Sequence, residues 1–599
     1  MLDSSSKGQK RFTNSLHEIP ANARDGKGIF PYSYATSQDV LEQALASLPD
    51  HQTAFYDTLS DCVSVSEAEY VSAQSIWEQC QCRNLKDYMM IYLKIDVHLL
   101  ADIFETFRQT AISEDQLEPL NFFSIPGLSW CAALKSLSTP LDMLQDLTMY
   151  EFFEAGVRGG MTFVNQHHAV KSETSQLLYI DINNLYGWAL SQKLPYADFE
   201  WVEDRAELAR ILTELPDETE DYGYTLEVDL EIPDAYHGFL SDLPPAPISQ
   251  KPPNSSCPKL LLTLDSKKNY IIHSALLKYY VDELHVKVAR VHRAIKFSQR
   301  QVFANYINSN TEKRAKAKSK FLKDYYKLKN NSLFGKSVEN LRKRKAVRIC
   351  NGPEKFLTYS SSPLFKYAIP ISEDLVTNIM IKEHICLNRP VYIGQAVLDL
   401  SKLRMYRLQY GDLAKYRKIF DPVGGSIKIL AGDTDSFFLE VSNIDLQDQL
   451  LPMMFSDGLL DTSNYPHFHD LYSKKYENKV GLFKDESAGK EDYVEWVFLR
   501  PKCYSLLSAD GTSSHKAKGV KRNTHLTHQQ YLEVYKSFDP TTNPHTSTCI
   551  TVSQRNIVSK QHQLQTICYS KRALSIMDDK RMWVGQNVSV PYGHCEYRV

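Results

Sequence analysis

A mixed α+β fold is what this sequence predicts, and three stretches predict it. The first runs from Ile427 to Val441: an apolar run, a short polar turn and a second apolar run, the pattern of a β-hairpin with Asp433 and Asp435 at its tip. The second, Leu177 to Tyr186, is an apolar strand that delivers Asp181 at its end, with Tyr186 on the segment leaving it. The third is helical and basic: Lys323, Lys327 and Asn331 recur every four residues and share a face with Gly335.

Taken in order, residues 1–29 are polar and read as irregular. Leu93, Val97 and Leu100 then mark an amphipathic helix, on which Tyr92 and Asp96 lie four apart on one face. Gly156 to Gly160 reads as a turn or a phosphate contact, since paired glycines permit close backbone approach, and equally as a plain loop. His167 and His168 lack ligand-spaced partners and are read as loop histidines. Strand-like runs and a Pro-rich loop (243–253) precede the basic helix. Arg342 to Lys345 forms a further cationic block, which reads equally as a nuclear-import patch. Residues 391–416 read as a long helix with basic residues on its exposed side. Lys502 and Tyr504 are expected on one side of a strand, and Lys516 to Arg522, with Lys518 at its middle, on a cationic turn. The last ninety or so residues look helical in places and carry no chemical signature.

Bulk properties bound the function. A chain of 599 residues has room for roughly three to five domains, and 43% hydrophobic and 24% charged residues are ordinary for a globular protein. The net charge of −3 hides a local excess: residues 312–348 hold 14 Lys/Arg against 3 Asp/Glu, a solvated helical face or a polyanion-binding surface. The 11 cysteines show no zinc-ligand or disulfide spacing. A polar N-terminus and the lack of an 18-residue apolar run lead us to expect a soluble, intracellular protein with no membrane partner, its compartment unresolved.

The Asp433-Thr434-Asp435 turn alone is as much an Asp-rich hairpin turn as a cation site. Together with Asp181, it can form a carboxylate cluster for two divalent cations about 4 Å apart, which would stabilise both oxygens of an in-line phosphoryl displacement. Hard oxygen ligands suit Mg²⁺, with Mn²⁺ as a substitute. A lysine-bearing helix between the two carboxylate stretches would neutralise a triphosphate. That combination asks for nucleotidyl transfer.

The order of motifs resembles that of the family B DNA polymerases. Asp181 to Gly187 (DINNLYG) resembles motif A, DxxSLYP; Lys327 to Gly335 (KLKNNSLFG) resembles motif B, KxxxNSxYG; Ala431 to Ser436 (AGDTDS) resembles motif C, YGDTDS. Lys502 and Tyr504 match KxY, and Tyr92 with Asp96 match the third exonuclease motif, YxxxD. Over about residues 30–595 the chain is most similar to the protein-primed branch, known from adenoviruses, linear plasmids, some phages and Maverick/Polinton elements.

The resemblance implies a right-hand fold with a truncated ribonuclease-H-like exonuclease region. Its parts would be an exonuclease remnant (1–110), a connecting region (111–170), palm (171–195 and 391–510), insertions (196–300 and 349–390), fingers (301–348) and thumb (511–599). It implies Asp181 and Asp435 as principal metal ligands with Asp433 supporting, and Tyr186 under the incoming sugar. Lys327 and Lys323 would lie on the triphosphate, and Asn331 and Gly335 along the nascent pair. Lys502 and Tyr504 would position the primer terminus, Lys518 would be a further DNA contact, and Gly159-Gly160 would form a template-binding turn. The partners implied are template and primer DNA, dNTPs and a terminal protein as primer, in replication of a viral or mobile-element genome.

Asn184, Gly187, Phe334, Ala431 and Val157 depart from the family pattern, and none removes a metal ligand. The first two exonuclease motifs have no room upstream, so proofreading is expected to be absent. A catalytically silent DNA-binding relic is the rival reading. Polymerisation on an RNA template is disfavoured by Asp-Thr-Asp in place of paired aspartates.

Overall fold

The computed structural model describes residues 10–24, 26–57, 62–63, 65–253, 255–489, 492–521, 524–541, 547–560 and 563–597. Of the stretch expected to be irregular, residues 1–9 and 25 lie outside these. The rest departs from the expectation: Arg11–Asn14 is a helical turn, because the buried Asp102 carboxylate accepts from the Phe12 and Thr13 amides at 2.8 and 2.9 Å. Asp102 lies on α1 (Leu85–Asp115), the 31-residue helix that also carries Tyr92 and Asp96. Asn84 caps α1 by accepting from the Asp87 amide. Leu16, Ile19, Trp77, Tyr88, Ile95 and Leu99 form its core. Among the described residues this N-terminal region is helical, with one strand pair of two residues each.

The chain then enters its sheets through β1 (Thr162–Val164), β2 (His168–Val170) and β3 (Ser175–Ile182), followed by the short helix α2 (Leu185–Leu190). Next come β4 (Leu194–Val202), β5 (Tyr222–Glu231), β6 (Lys267–His273) and β7 (Lys287–Arg300), an antiparallel sheet in the order β6-β5-β7-β4. Two helices form the basic region, α3 (Ala304–Lys316) and α4 (Lys320–Ser337), and β8 (Ala346–Asn351), β9 (Phe365–Pro370) and β10 (Leu375–Met380) make a separate three-stranded sheet. After these the chain forms α5 (Val391–Arg407), β11 (Ser426–Asp433), β12 (Ser436–Ser442), β13 (Leu460–Asp461), β14 (Phe483–Asp485), β15 (Tyr493–Arg500), β16 (Cys503–Ser508), β17 (Ser513–Ala517), α6 (His528–Lys536), β18 (Ile550–Lys560) and β19 (Gln563–Leu574).

The central sheet has six strands in the order β13-β14-β3-β12-β11-β1. Its middle strands are apolar on both sides: Leu178, Ile180, Phe437, Leu439, Val441, Ile427 and Ile429 are buried in the main core, and Leu177, Phe438 and Leu430 in a second cluster on the opposite face. A second sheet, β17-β16-β15-β2, lies beside it.

Three further expectations are corrected in part by packing. The first part of the 391–416 stretch has no exposed basic side: every residue from Val391 to Tyr406 is buried, Lys402 and Arg404 included, and a π-type turn at Leu408–Asp412 separates it from the next helix, where Lys415 is exposed. The last ninety residues are helical at α6, as expected, but their largest feature is the β18–β19 hairpin, a strand pair of 11 and 12 residues. Of the two histidines read as loop residues, His167 does lie in the bend between β1 and β2, whereas His168 does not. His168 belongs to β2 and its Nε2 meets the Glu495 carboxylate at 2.7 Å. His167 is fully buried, stacks on Trp583 with ring centroids 3.4 Å apart, and its Nδ1–H donates to the Phe498 carbonyl at 2.6 Å.

Burial pushes His167 down to about 3. The folded state therefore holds fewer protons than the unfolded chain below pH 6.5, and stability falls as pH falls. Between pH 6.5 and 5 this residue should remove on the order of 2 kcal/mol. His167→Phe keeps the stack and should melt with a shallower dependence on pH; parallel melting curves for the two proteins across that range would refute this.

Candidate active site

The β11–β12 hairpin forms as its pattern predicts, and Thr434 closes it at φ +71°, a strained value for a β-branched residue. Three backbone bonds hold the turn. The Asp435 amide donates to the Asp433 carbonyl at 2.9 Å, the Thr434 amide to the Met161 carbonyl at 2.8 Å, and the Ile182 amide to the Asp435 carbonyl at 2.8 Å. The last bond joins the two carboxylate stretches directly. In the β12–β3 register Ser436 faces Asp181, so Asp181 and Asp435 emerge at the same end of the sheet.

The three carboxylates are treated differently. Burial pushes Asp181 up to about 8, reinforced by the charges of Asp435, Glu486 and Asp433. Burial and the charge of Asp433 also raise Asp435. Asp433 is buried too, yet two ammoniums hold it below the usual carboxylate range: Lys502 at 2.5 Å from Oδ1 and Lys516 at 2.7 Å from Oδ2. Both of its oxygens are therefore occupied, whereas Asp181 and Asp435 form no ion pair among the described residues. No three His, Cys, Asp or Glu side chains among those residues converge tightly enough to hold a metal ion. The donor set nonetheless suits a hard divalent cation: two uncompensated carboxylates repel each other beside a third, Glu486.

Lys502 is a turn residue with φ +62° that precedes β16, not a strand residue. Its reach to Asp433 comes from the turn, while Tyr504 sits buried on the strand with its ring 5.1 Å from Phe438. Lys518 is exposed, and its backbone N–H donates to the Lys502 carbonyl at 3.1 Å. Lys516, Lys518, Lys502, Tyr504, Tyr179 and Glu486 line a groove of about 1040 Å³ beside the carboxylates. Arg522, at the end of that cationic turn, lies outside the described residues.

The glycine turn meets the carboxylate turn. A Cβ on Gly160 would collide with the Thr434 side chain, whereas Gly159 has open space around it. Close approach therefore explains Gly160. On the other flank, Asn184 (φ +48°) caps α2 by accepting from the Gly187 amide at 3.1 Å, and a Cβ at Gly187 would strike the Asn184 amide. These two departures from the motif thus complement each other: a proline at 187 would have no N–H to cap. Tyr186 packs on Phe334, ring centroids 4.6 Å apart, joining α2 to α4.

On α4 the exposed face carries Lys323, Lys327, Asn331 and Gly335 together, as the spacing predicts. Its buried face is anchored by Lys329, whose ammonium pairs with Asp115 of α1 at 2.7 Å, and by Asn330. Lys327 is near enough to Glu486 to offset part of the upward shift that burial and Asp485 impose on it. Three of the four cations of the 342–345 block are engaged: Arg342 pairs with Glu154 at 2.6 Å, Arg344 with Glu339 at 2.7 Å, and Lys345 donates to the Tyr367 hydroxyl. Tyr92 and Asp96 stay on α1, away from this cluster in the fold, with the Tyr92 hydroxyl 3.1 Å from that of Tyr32. Sequence reading missed Glu486 and Lys516, whose only local signals were a carboxylate after β14 and a lysine in a basic turn.

Residues 23–409 match the family DNA polymerase type B, organellar and viral. No curated protein matches the chain. Among solved structures, phi29 DNA polymerase complexed with primer-template DNA and incoming nucleotide substrates aligns with a TM-score of 0.50 at 14% identity, over 92% of this chain and 79% of that one. Phi29 DNA polymerase complexed with single-stranded DNA aligns with a TM-score of 0.48 at 14% identity, over 82% and 72%.

Proposed function

Because the chain belongs to the organellar and viral type B DNA polymerases, and so is a DNA-directed DNA polymerase with the right-hand fold its motifs imply, we propose that Asp181 and Asp435 are its catalytic carboxylates. The observation that carries this reading is the β12–β3 register, which brings two carboxylates to one sheet end, neither of them in an ion pair among the described residues.

These two residues, with Glu486 alongside, would hold divalent cations, Mg²⁺ being the natural choice for hard oxygen donors. When bound, such ions would neutralise charge on the reacting phosphoryl group and its leaving group. The chain's own residues do the rest. Asp433 turns Lys502 and Lys516 toward the site, where they orient a primer strand in the groove. Lys327, with Lys323 a turn before it, presents ammonium groups to a triphosphate, and Asn331 and Gly335 leave a flat face for the new pair. Gly159 and Gly160 form the turn along which the template passes, and Lys518 adds a phosphate contact.

Tyr186, braced by Phe334, would lie under the incoming sugar and exclude a 2′-hydroxyl. Tyr186→Ala should raise ribonucleotide incorporation relative to deoxynucleotide by roughly tenfold or more; unchanged discrimination in competing single-nucleotide additions would remove Tyr186 from that role. Replication in the native setting would start from a protein hydroxyl, as in the branch that the motif order resembles. Transfer of a labelled deoxynucleotide to a protein acceptor without a nucleic-acid primer tests this. Primer extension on a singly primed DNA template, wild type against Asp435→Ala, tests the core assignment.

A further inference from the structure

Lys402 is an ammonium on a helix, α5, that is buried from Val391 to Tyr406. Its side chain is 3% exposed. A lysine so placed persists only when partnered. Its Nζ donates to the Arg158 carbonyl at 2.7 Å and to the Leu398 carbonyl at 3.1 Å, and lies 3.7 Å from Asp399 Oδ1. Asp399 in turn accepts from the His273 amide at 3.0 Å and from the Gln395 side chain at 2.6 Å. Arg158 is gripped from its other end, with its guanidinium 3.9 Å over the Tyr270 ring and donating to the Ile271 carbonyl at 2.7 Å. Burial pulls Lys402 down to about 8, with Asp399 acting against that fall.

The residues just after Arg158 give this cluster its importance. Gly160 abuts the Thr434 side chain, and the Met161 carbonyl accepts from the Thr434 amide at 2.8 Å. The segment held by Lys402 is therefore the wall against which the Asp433-Thr434-Asp435 turn is set. An apolar side chain would fill the same volume, and exchanging a buried ion pair for apolar or neutral groups is often neutral for stability. The pair thus contributes geometry rather than stability.

We propose that Lys402 is a positioning residue for nucleotide addition, whose bond to the Arg158 carbonyl holds residues 158–161 against Thr434 and so fixes the carboxylate turn. This rests on the reading of Asp181 and Asp435 as the catalytic carboxylates.

The test is the double variant Lys402→Met/Asp399→Asn, which removes both charges and the bond to Arg158 while keeping side-chain volume. Single-nucleotide addition is measured at saturating primer-template, beside wild type and Asp435→Asn. The double variant should melt within a few degrees of wild type. Its kcat should fall roughly tenfold, a misplacement effect, while the KM for dNTP changes less than twofold. Lys402→Arg, which keeps a cationic donor, should recover more of kcat than Lys402→Met alone. Wild-type kcat in the double variant overturns the proposal, as does a kcat and KM that worsen together. A double variant that cannot fold also overturns it, since the pair would then serve the core itself. Asp435→Asn extending primers as well as wild type, or a wild type that does not extend them, would instead sink the catalytic assignment.

Discussion

Asp435→Asn is expected to lower primer extension at least a thousandfold while leaving the affinity for primer-template DNA intact or slightly improved. The substitution keeps shape and removes one of the two uncompensated carboxylates, so the loss falls on chemistry. Asp181→Asn should behave alike, because burial, Asp435 and Glu486 place it in the same field. Asp433 differs in kind. Both of its oxygens are held by Lys502 and Lys516, so Asp433→Asn also releases two ammoniums into the groove. Its loss should therefore include a change in the salt dependence of DNA binding, which Asp435→Asn should lack. Single-turnover extension and fluorescence anisotropy at two salt concentrations measure both quantities. Parallel loss of DNA affinity and rate in Asp435→Asn would mean that the carboxylate is structural.

Gly160→Ala should reduce extension about a hundredfold, the scale expected when a reacting constellation is moved by about 1 Å. The added Cβ meets the side chain of Thr434, and either the glycine segment or the carboxylate turn must give way. The partner substitution Thr434→Gly removes the obstructing side chain and suits the φ of +71° at that position. The pair Gly160→Ala/Thr434→Gly should thus recover much of the activity, a coupling that a double-mutant cycle reads directly. Gly159→Ala, with open space around it, should be nearly silent for the turn. Additive losses for Gly160→Ala and Thr434→Gly would show that the contact does not set the site.

Much of this site is legible in local pattern. The hairpin bearing Asp433 and Asp435 follows from two apolar runs around a polar turn, and the shared face of Lys323, Lys327, Asn331 and Gly335 follows from helical periodicity. Other features were read with the wrong surroundings. Lys402 has the local look of an exposed basic residue on an amphipathic helix, because its burial depends on sheets formed far away in sequence. His167 and His168 have no patterned neighbours, and their partners Trp583 and Glu495 come from the far end of the chain. The β18–β19 hairpin is polar, and a two-stranded ribbon that buries little apolar surface leaves a weak alternating signal.

The sequence by itself determined which groups stand at the proposed site, Asp181, Asp435 and the lysines of α4, since strand ends and helix faces are set within a few residues. The tertiary structure alone decided how those groups are charged and held. Lys516 reaches Asp433 across 83 residues, Lys402 reaches Arg158 across 244, and Gly160 meets Thr434 only once β1 has joined β11. Burial and charge at a point in space are sums over whatever the fold brings there. No local periodicity encodes such sums.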